Sequence, residues 1–520
     1  MAPHRPEPAR PDPAAEQPWI VAGRRIHMVG IGGCGMSALA RMLLARGADL
    51  SGSDAFQTEI TGGLQALGVR VFEDQTGAAL PEGVEFVVHT AAVKADHAEL
   101  IAAADAGAEV LSYAEALGRC MHGYTGLAIA GTHGKSTTTA MLGCAMTDAG
   151  LDPTVIVGAT CSQLARGALA EPARDSSGGT GFRLGPPQIP AGPRRCEPGL
   201  LLAEACEFNR SFHHFRPKIA SIGSVEADHL DIYGSLDAVV EAFREFAALL
   251  PPSEHGGLLL IAHDGAHRRA VTAGLRCRVE TIGLSPEADW VFGISGKRVT
   301  LARRGEAPMA SFTSPMPGVH NATNAATALA LAVIGGADPE IAARSLEAFR
   351  GLDRRLQLLG ERPVDGGAVR VWDDYGHHPT EIDATLRALR EHEKPQDRGG
   401  RLICVFQPHQ HSRTRFLLDE FAQAFGEADA VIVPHIYFVR DSEAEKQRVS
   451  ASDLVDRLRQ RGVRAMHLYP FGAIVEQLEN LCRAGDTLVV MGAGPVWQVG
   501  RNYLESAHDH ASSGAAEGAR

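Results

Sequence analysis

From residue 25 onward, short apolar runs alternate with longer stretches in which apolar residues recur every three or four positions. That alternation is the pattern of parallel strands with helices between them, and it predicts an α/β protein. RIHMV at 25–29 reads as a strand, 36–45 as a helix, and 86–90 as a strand with a polar end. A second strand–loop–helix runs from 126–130 through a Gly-rich turn into 135–146. LLLA at 200–203 and IASIG at 219–223 are short strands that each lead into acidic residues. A third series occupies 369–373, 402–406 and 430–433, and ends at 487–491 before GAGP. Breaks near 123 and 348 divide the chain into units of 19–123, 124–348 and 349–507. The stretch 166–198, rich in Gly, Pro, Ser and Arg, reads as a long surface loop or insertion. Residues 1–18, with six prolines, and 508–520 read as solvated tails.

Composition narrows the function classes. Of 520 residues 45% are hydrophobic and 22% charged, which excludes a wholly disordered chain. A formal charge of −12 argues against general affinity for nucleic acid or an anionic membrane. The longest nearly apolar run, 325–337, is too short to span a bilayer, and the start of the chain has no signal-peptide core. Nine cysteines occur singly, without a CxxC pair, which suits a reducing cytoplasm.

Two Gly-rich loops carry the chemistry. Gly30-x-Gly32-x-x-Gly35 follows a strand and opens a helix, where bare backbone N–H groups can hold a pyrophosphate. With Asp54 at a following strand end, the motif suits a dinucleotide first, then another diphosphate ligand, then a merely structural tight turn. Gly131-Thr132-His133-Gly134-Lys135-Ser136-Thr137 is sharper. It resembles a phosphate loop, with Lys135 for the β/γ oxygens and the Ser136 hydroxyl for Mg²⁺. Glu204 at the end of LLLA and His229 after the next strand are candidate metal ligands, or merely solvated strand-end residues. Asn321 reads as a helix cap or an adenine contact. Residues 373–379 and 407–415 bring His and Arg to strand ends, and the Arg pair suits an anionic substrate better than the His residues suit zinc.

Taken together, GIGGCGMSALA, GTHGKSTTT, EACEFN with EADHLDIYG, HNATNAA, and DDYGHHPTEI with QPHQHSRTR resemble the Mur ligase family over about 24–505. The resemblance implies a Rossmann-like N-terminal domain, a central P-loop ATPase-like domain and a Rossmann-like C-terminal domain. It also implies ATP and Mg²⁺ as cofactors, UDP-N-acetylmuramic acid and an amino acid as substrates, and a monomer or homodimer. DDYGHHPTE points to the L-alanine-adding branch; a different amino acid or a recycled murein peptide is the alternative within the class. Outside it, an NAD-dependent oxidoreductase or a nucleotide sensor would leave one or more motifs without a purpose.

Carried over residue by residue, Gly32, Gly33, Gly35 and Asp54 would hold the UDP moiety. Gly131 to Thr137, Asn321, Arg355 and Asp374 would bind ATP, and Ser136, Glu204 and His229 the metal. His409, Arg413 and Arg415 would face the sugar nucleotide, the phosphates or the incoming alanine, with Lys135, Glu204, His229 and His378 catalytic. Ser136 stands where relatives carry Thr, Gln410 where many carry Arg, and Cys206 where some carry Asp.

Overall fold

The computed structural model describes residues 19–170, 179–439 and 441–506. Its strands form three sheets that share no strand. The N-terminal sheet has five parallel strands, with Arg25–Val29 at its centre between Asp49–Ser53 and Phe86–His89. The C-terminal sheet has six, and Thr487–Met491 lies between Gly367–Asp374 and Leu402–Phe406, parallel to both. Its antiparallel edge is Gln357–Val364. The proposed tails, 1–18 and 508–520, lie outside the described residues.

The middle sheet has ten strands, and its order explains how the site assembles. Thr125–Ala130, which feeds the phosphate loop, lies between Leu200–Glu204 and Ile219–Ile222, both parallel to it. Neighbouring strands run about 4.8 Å apart, so the residues that follow their C-terminal ends are brought within reach of one loop. Six of the six residues of Thr125–Ala130 are buried, as a strand covered on both faces requires. The following helix, Lys135–Asp148, is buried almost all round, and it packs against the Ala-rich helix Val319–Ile334. Alanines there allow close approach of the two helices.

The stretch read from sequence as a surface loop is partly built into this sheet. Thr180–Arg183 adds an antiparallel edge strand to Thr154–Cys161, and Ile189 is 1% exposed. The Asp148 carboxylate accepts the N–H groups of Ala168 and Leu169, and Arg183 Nε donates to the Thr147 hydroxyl. A Gly/Pro-rich composition hid these features because the partners lie on other elements. Residues 171–178 are outside the described region.

Candidate active site

The phosphate loop is shaped by two glycines. Gly131 has φ +137°, and Gly134, the residue before helix Lys135–Asp148, is left-handed at φ +78°. A Cβ at Gly134 would lie 2.4 Å from Asn324 Oδ1. Gly134→Ala therefore combines about 1–2 kcal/mol of left-handed strain with a clash against an amide. The expected outcome is loss of nucleotide binding in a titration calorimeter with the fold retained by circular dichroism. The loop is held from the next strand end: Thr132 N–H donates to the Ser224 carbonyl at 2.8 Å, and His133 N–H donates to Ser224 Oγ at 3.1 Å.

Lys135 does not project into open space. Its ammonium donates to the carbonyls of Gly131 at 2.7 Å and Thr132 at 3.0 Å, and to both oxygens of Glu207 at 2.8 and 3.2 Å. Burial alone would lower the lysine pKa; the Glu207 charge outweighs it and raises the value. Ser136 follows in the first helical turn, half-buried, and Thr137 behind it is buried.

Glu207, Asp228 and His229 each offer a donor atom within 4.8 Å of the others. Two hard oxygens and one imidazole suit Mg²⁺ in kind, but Lys135 already holds Glu207 and Arg413 already lies on Asp228 and His229. Glu204, the sequence candidate, is not in this group. Its Oε1 would lie 2.3 Å from a Cβ on Gly158, its Oε2 has no hydrogen-bond partner, and its charge, after burial, helps raise the Cys34 thiol. It therefore stands between the N-terminal glycine loop that contains Cys34 and Lys135, whose pKa its charge also helps raise. Strand period alone cannot tell which of two glutamates three residues apart turns to the lysine. His229 is left-handed at φ +53°, and burial lowers its pKa.

The third domain closes the site. A cavity of about 360 Å³ is lined by Lys135, Asn321 and Asn324 from the middle domain and by Arg355, Asp374 and Glu381. Asn321 is the third residue of its helix, not its cap; its amide donates to the Pro317 carbonyl at 2.8 Å. Asp374 accepts the N–H groups of Leu356 at 2.8 Å and Gly376 at 2.7 Å, so it shapes the cavity wall. Arg355 lies 3.8 Å from Glu381 and 4.9 Å from the Tyr375 ring.

His378, Pro379 and Glu381 form the capped start of helix Pro379–Glu393. His378 accepts from Thr380 N–H at 3.3 Å, and its Nε2 lies 3.2 Å from the Ala227 carbonyl. Both ring nitrogens are engaged, so His378 ties the third domain to the middle one and leaves no lone pair for the amine proton.

Glu381 also reaches across. His133 Nδ1 is 3.2 Å from Glu381 Oε1, and its Nε2 is 3.4 Å from Glu226 Oε2. Burial would lower the His133 pKa, but the two carboxylates overcome it and raise it to about 9. Glu226 is correspondingly pulled to about 2, mainly by His133 against its own burial. His320 is driven to about 4 by burial, and so is His377 even though its Nδ1 lies 3.5 Å from Glu381. A raised histidine stabilises the fold fully below its ordinary value near 6.5 and loses that contribution as pH rises through the folded value. Glu381→Gln is therefore expected to lower the melting temperature at pH 6 and to matter much less at pH 10.

Arg413 Nε donates to Asp228 Oδ1 at 3.0 Å, and the two side chains are 5% and 7% exposed. His409 Nδ1 is 3.2 Å from Arg413, and its ring faces Tyr437 at 5.8 Å. These residues stand at the junction of middle and C-terminal domains. Arg415 does not: it pairs with Glu445 at 2.8 Å and is absent from the cavity lining. A helix turns by about 100° per residue, so Arg413 and Arg415 point apart.

In the N-terminal loop, Gly32 N–H donates to Asp54 Oδ2 at 2.8 Å, and Phe56 N–H to Asp54 Oδ1 at 3.2 Å. Asp54 thus braces the loop from within. A Cβ on Gly32 would meet Asp54 at 2.8 Å, and one on Gly35 would meet Tyr113 at 3.2 Å, whereas Gly33 has ordinary space. Glu207, Glu226, Asp228, Asn324 and Glu381 were missed as site residues. All five lie inside the motif strings quoted above, and only their tertiary partners distinguish them.

Three family descriptions match successive parts of the chain: Mur ligase family, catalytic domain, at 25–125; Mur ligase middle domain at 129–332; and Mur ligase, glutamate ligase domain, at 354–494. The chain is 35% identical to the UDP-N-acetylmuramate–L-alanine ligase of Caldanaerobacter subterraneus subsp. tengcongensis, over 93% of this chain and 97% of that one. With the ligase of the same name from Sorangium cellulosum identity is 37%, over 91% and 94%. Among solved structures, the UDP-N-acetylmuramate–alanine ligase MurC of Thermotoga maritima superposes with a TM-score of 0.71 at 24% identity, over 94% and 99%. A murein peptide ligase from Psychrobacter arcticus does so at 0.67 and 24%, over 93% and 99%. At that identity these two superpositions show the shared fold alone.

Proposed function

This chain belongs to the Mur ligase family, and from that premise we propose how its residues carry out the reaction. It ligates L-alanine to UDP-N-acetylmuramic acid at the expense of ATP, in peptidoglycan synthesis. The observation that carries the assignment of roles is the cavity between the phosphate loop and the third domain, with the N-terminal glycine loop beyond Glu204.

ATP lies in that cavity, its adenine end toward Asn321 and its phosphates on the helix-start N–H groups of Gly134 to Thr137, in the loop Gly131 to Thr137 that Ser224 braces. Arg355 approaches from the third domain. Gly32, Gly33 and Gly35 receive the UDP diphosphate, and Asp54 keeps that loop in shape. The lactyl carboxylate then attacks the γ-phosphorus; the bond to the β-phosphate oxygen breaks, and ADP leaves with its electron pair. The product is an acyl phosphate. The α-amine of alanine attacks its carbonyl carbon, and inorganic phosphate leaves as the amide forms and the amine loses its proton.

Lys135 follows the charge that moves onto the leaving oxygens. Ser136, Glu204, whose buried Oε2 has no other partner, and His229 would hold Mg²⁺, which neutralises phosphate charge when bound. Glu204, beside the N-terminal loop, borders the path of the muramoyl carboxylate. His133, Glu226, His378 and Arg413 keep the third domain closed so that water does not hydrolyse the acyl phosphate. Among the described residues no helix is long and apolar enough to cross a membrane, and we place the reaction in the cytoplasm.

The test is phosphate release with Mg²⁺-ATP and UDP-N-acetylmuramic acid, comparing L-alanine, no amino acid and a tripeptide. Release that requires both the sugar nucleotide and L-alanine is the expected result. Release with the tripeptide alone would move the chain to peptide addition.

A further inference from the structure

The N-terminal glycine loop takes its shape from outside itself. Helix Cys34–Ala45, which it opens, starts without a side-chain cap and without an acidic residue in its first turn, so no side chain of its own occupies the N–H groups there. Asp54 braces Gly32, and a second brace lies deeper. The Ser53 carbonyl accepts the N–H groups of Gly30 at 2.8 Å and Ile31 at 3.0 Å. Whatever fixes Ser53 therefore fixes the entry to the loop.

Beneath Ser53 runs a chain of four polar side chains. His27 pairs with Ser51 across two parallel strands, and its Nδ1 is 2.9 Å from the Ser51 hydroxyl. Its Nε2 is 3.1 Å from Glu99 Oε1, and Ser53 Oγ donates to Glu99 Oε2 at 2.7 Å. Ser51 and Ser53, two residues apart, share one face of the sheet. Glu99 comes from the first turn of helix Ala98–Asp105. A carboxylate only accepts, so the imidazole proton sits on Nε2 and Nδ1 accepts the Ser51 hydroxyl. The order Ser, His, Glu is that of a hydrolytic relay, but His27, Ser53 and Glu99 are all 0% exposed and meet no substrate. A buried carboxylate is also a poor way to stabilise a core, where apolar residues of the same volume often do as well. A polar network with every member satisfied does something else, which is to hold one geometry.

We propose that Glu99, His27 and Ser53 are positioning residues for the sugar nucleotide. Their chain holds the end of Asp49–Ser53 in place under the glycine loop, so that the N–H groups at the start of the helix meet the diphosphate without rearrangement. The proposal rests on the reading of this loop as the UDP site.

The experiment is steady-state phosphate release with UDP-N-acetylmuramic acid, ATP and L-alanine varied in turn, together with thermal melting. It compares the wild type with Glu99→Met, Glu99→Gln and Ser53→Ala. Glu99→Met and Ser53→Ala are expected to raise the KM for the sugar nucleotide about tenfold, the scale of one weakened hydrogen bond to a charged group. The kcat at saturation and the KM for ATP should stay at wild-type values. Glu99→Gln can accept from Ser53 and donate to His27 once the imidazole proton moves to Nδ1, so its KM should stay near that of the wild type. A merely structural network would lower the melting temperature and leave the KM of the folded protein unchanged. That result in Ser53→Ala, which removes a single oxygen, overturns the proposal whether or not Glu99→Met folds. A KM for ATP that rises in parallel, or a Glu99→Gln protein as impaired as Glu99→Met, also sinks it. A wild type whose release does not depend on the sugar nucleotide overturns the reading of the loop instead.

Discussion

Lys135→Met is expected to lower alanine-dependent phosphate release by about a thousandfold, the scale on which preorganised charge at a phosphoryl-transfer site acts. The same change should also destabilise the protein, for a separate reason. It leaves the Glu207 carboxylate, 3% exposed on its side chain, without its cation. An orphaned buried charge costs about 3–5 kcal/mol, whereas removing both partners at similar volume is often nearly neutral. The double variant Lys135→Met/Glu207→Gln should therefore recover most of the lost melting temperature and none of the activity. That divergence separates a catalytic lysine from a merely structural one. A Lys135→Met protein with wild-type release would sink the mechanism.

Arg413→Met carries the second large effect, at the junction of domains. Arg413 and Asp228 come from the C-terminal and middle domains and form a nearly fully buried pair. Removing the cation leaves Asp228 uncompensated at a cost of about 3–5 kcal/mol, which an interface can escape by opening. Every 1.4 kcal/mol is a factor of ten, so the closed form should lose about two to four orders of magnitude relative to the open one. Small-angle scattering should show a larger radius of gyration for Arg413→Met, and alanine-dependent release should fall with it. A variant with an unchanged radius and unchanged release would remove this pair from the closing contacts.

The pH dependence of the two inter-domain ties runs in opposite directions. Burial would raise the Asp228 carboxyl, but Arg413 and then His229 hold it well below the usual carboxylate range. A depressed carboxylate contributes stability that is present above its ordinary value near 3.9 and lost as pH falls through the folded value. The Asp228 tie is thus constant through neutral pH and fails only in acid. The His133 tie, raised to about 9, fails in alkali. Above the acid limit the closed arrangement should therefore be steady up to about pH 6.5 and lose the His133 contribution progressively up to about pH 9, so scattering should show a larger radius at about pH 9.5 than at about pH 6.

The local chemistry of this chain was legible in its residues. A left-handed loop before Lys135 needs glycine at 134, and the sequence supplies it. The start of helix Pro379–Glu393 is written as a His, a Pro and a Glu at the spacing of a capping box. The parallel sheets follow from apolar runs bounded by Gly-rich turns, because a strand covered on both faces has few polar positions.

What stayed hidden were pairings between elements far apart in sequence. EACEFN offers two glutamates, and strand order together with the turn after Leu200–Glu204 directs Glu207, not Glu204, to Lys135. Asp54 reads as a ligand contact until the Gly32 and Phe56 N–H groups are found on its oxygens. Arg413 and Arg415 look equivalent in QPHQHSRTR, yet one is buried against Asp228 and the other pairs with Glu445. Sequence by itself determined which backbone shapes and side-chain chemistries this protein can use, because those depend on neighbours a few residues away. Only the tertiary structure decided which charges meet, because strand order and domain closure set distances that no local spacing contains.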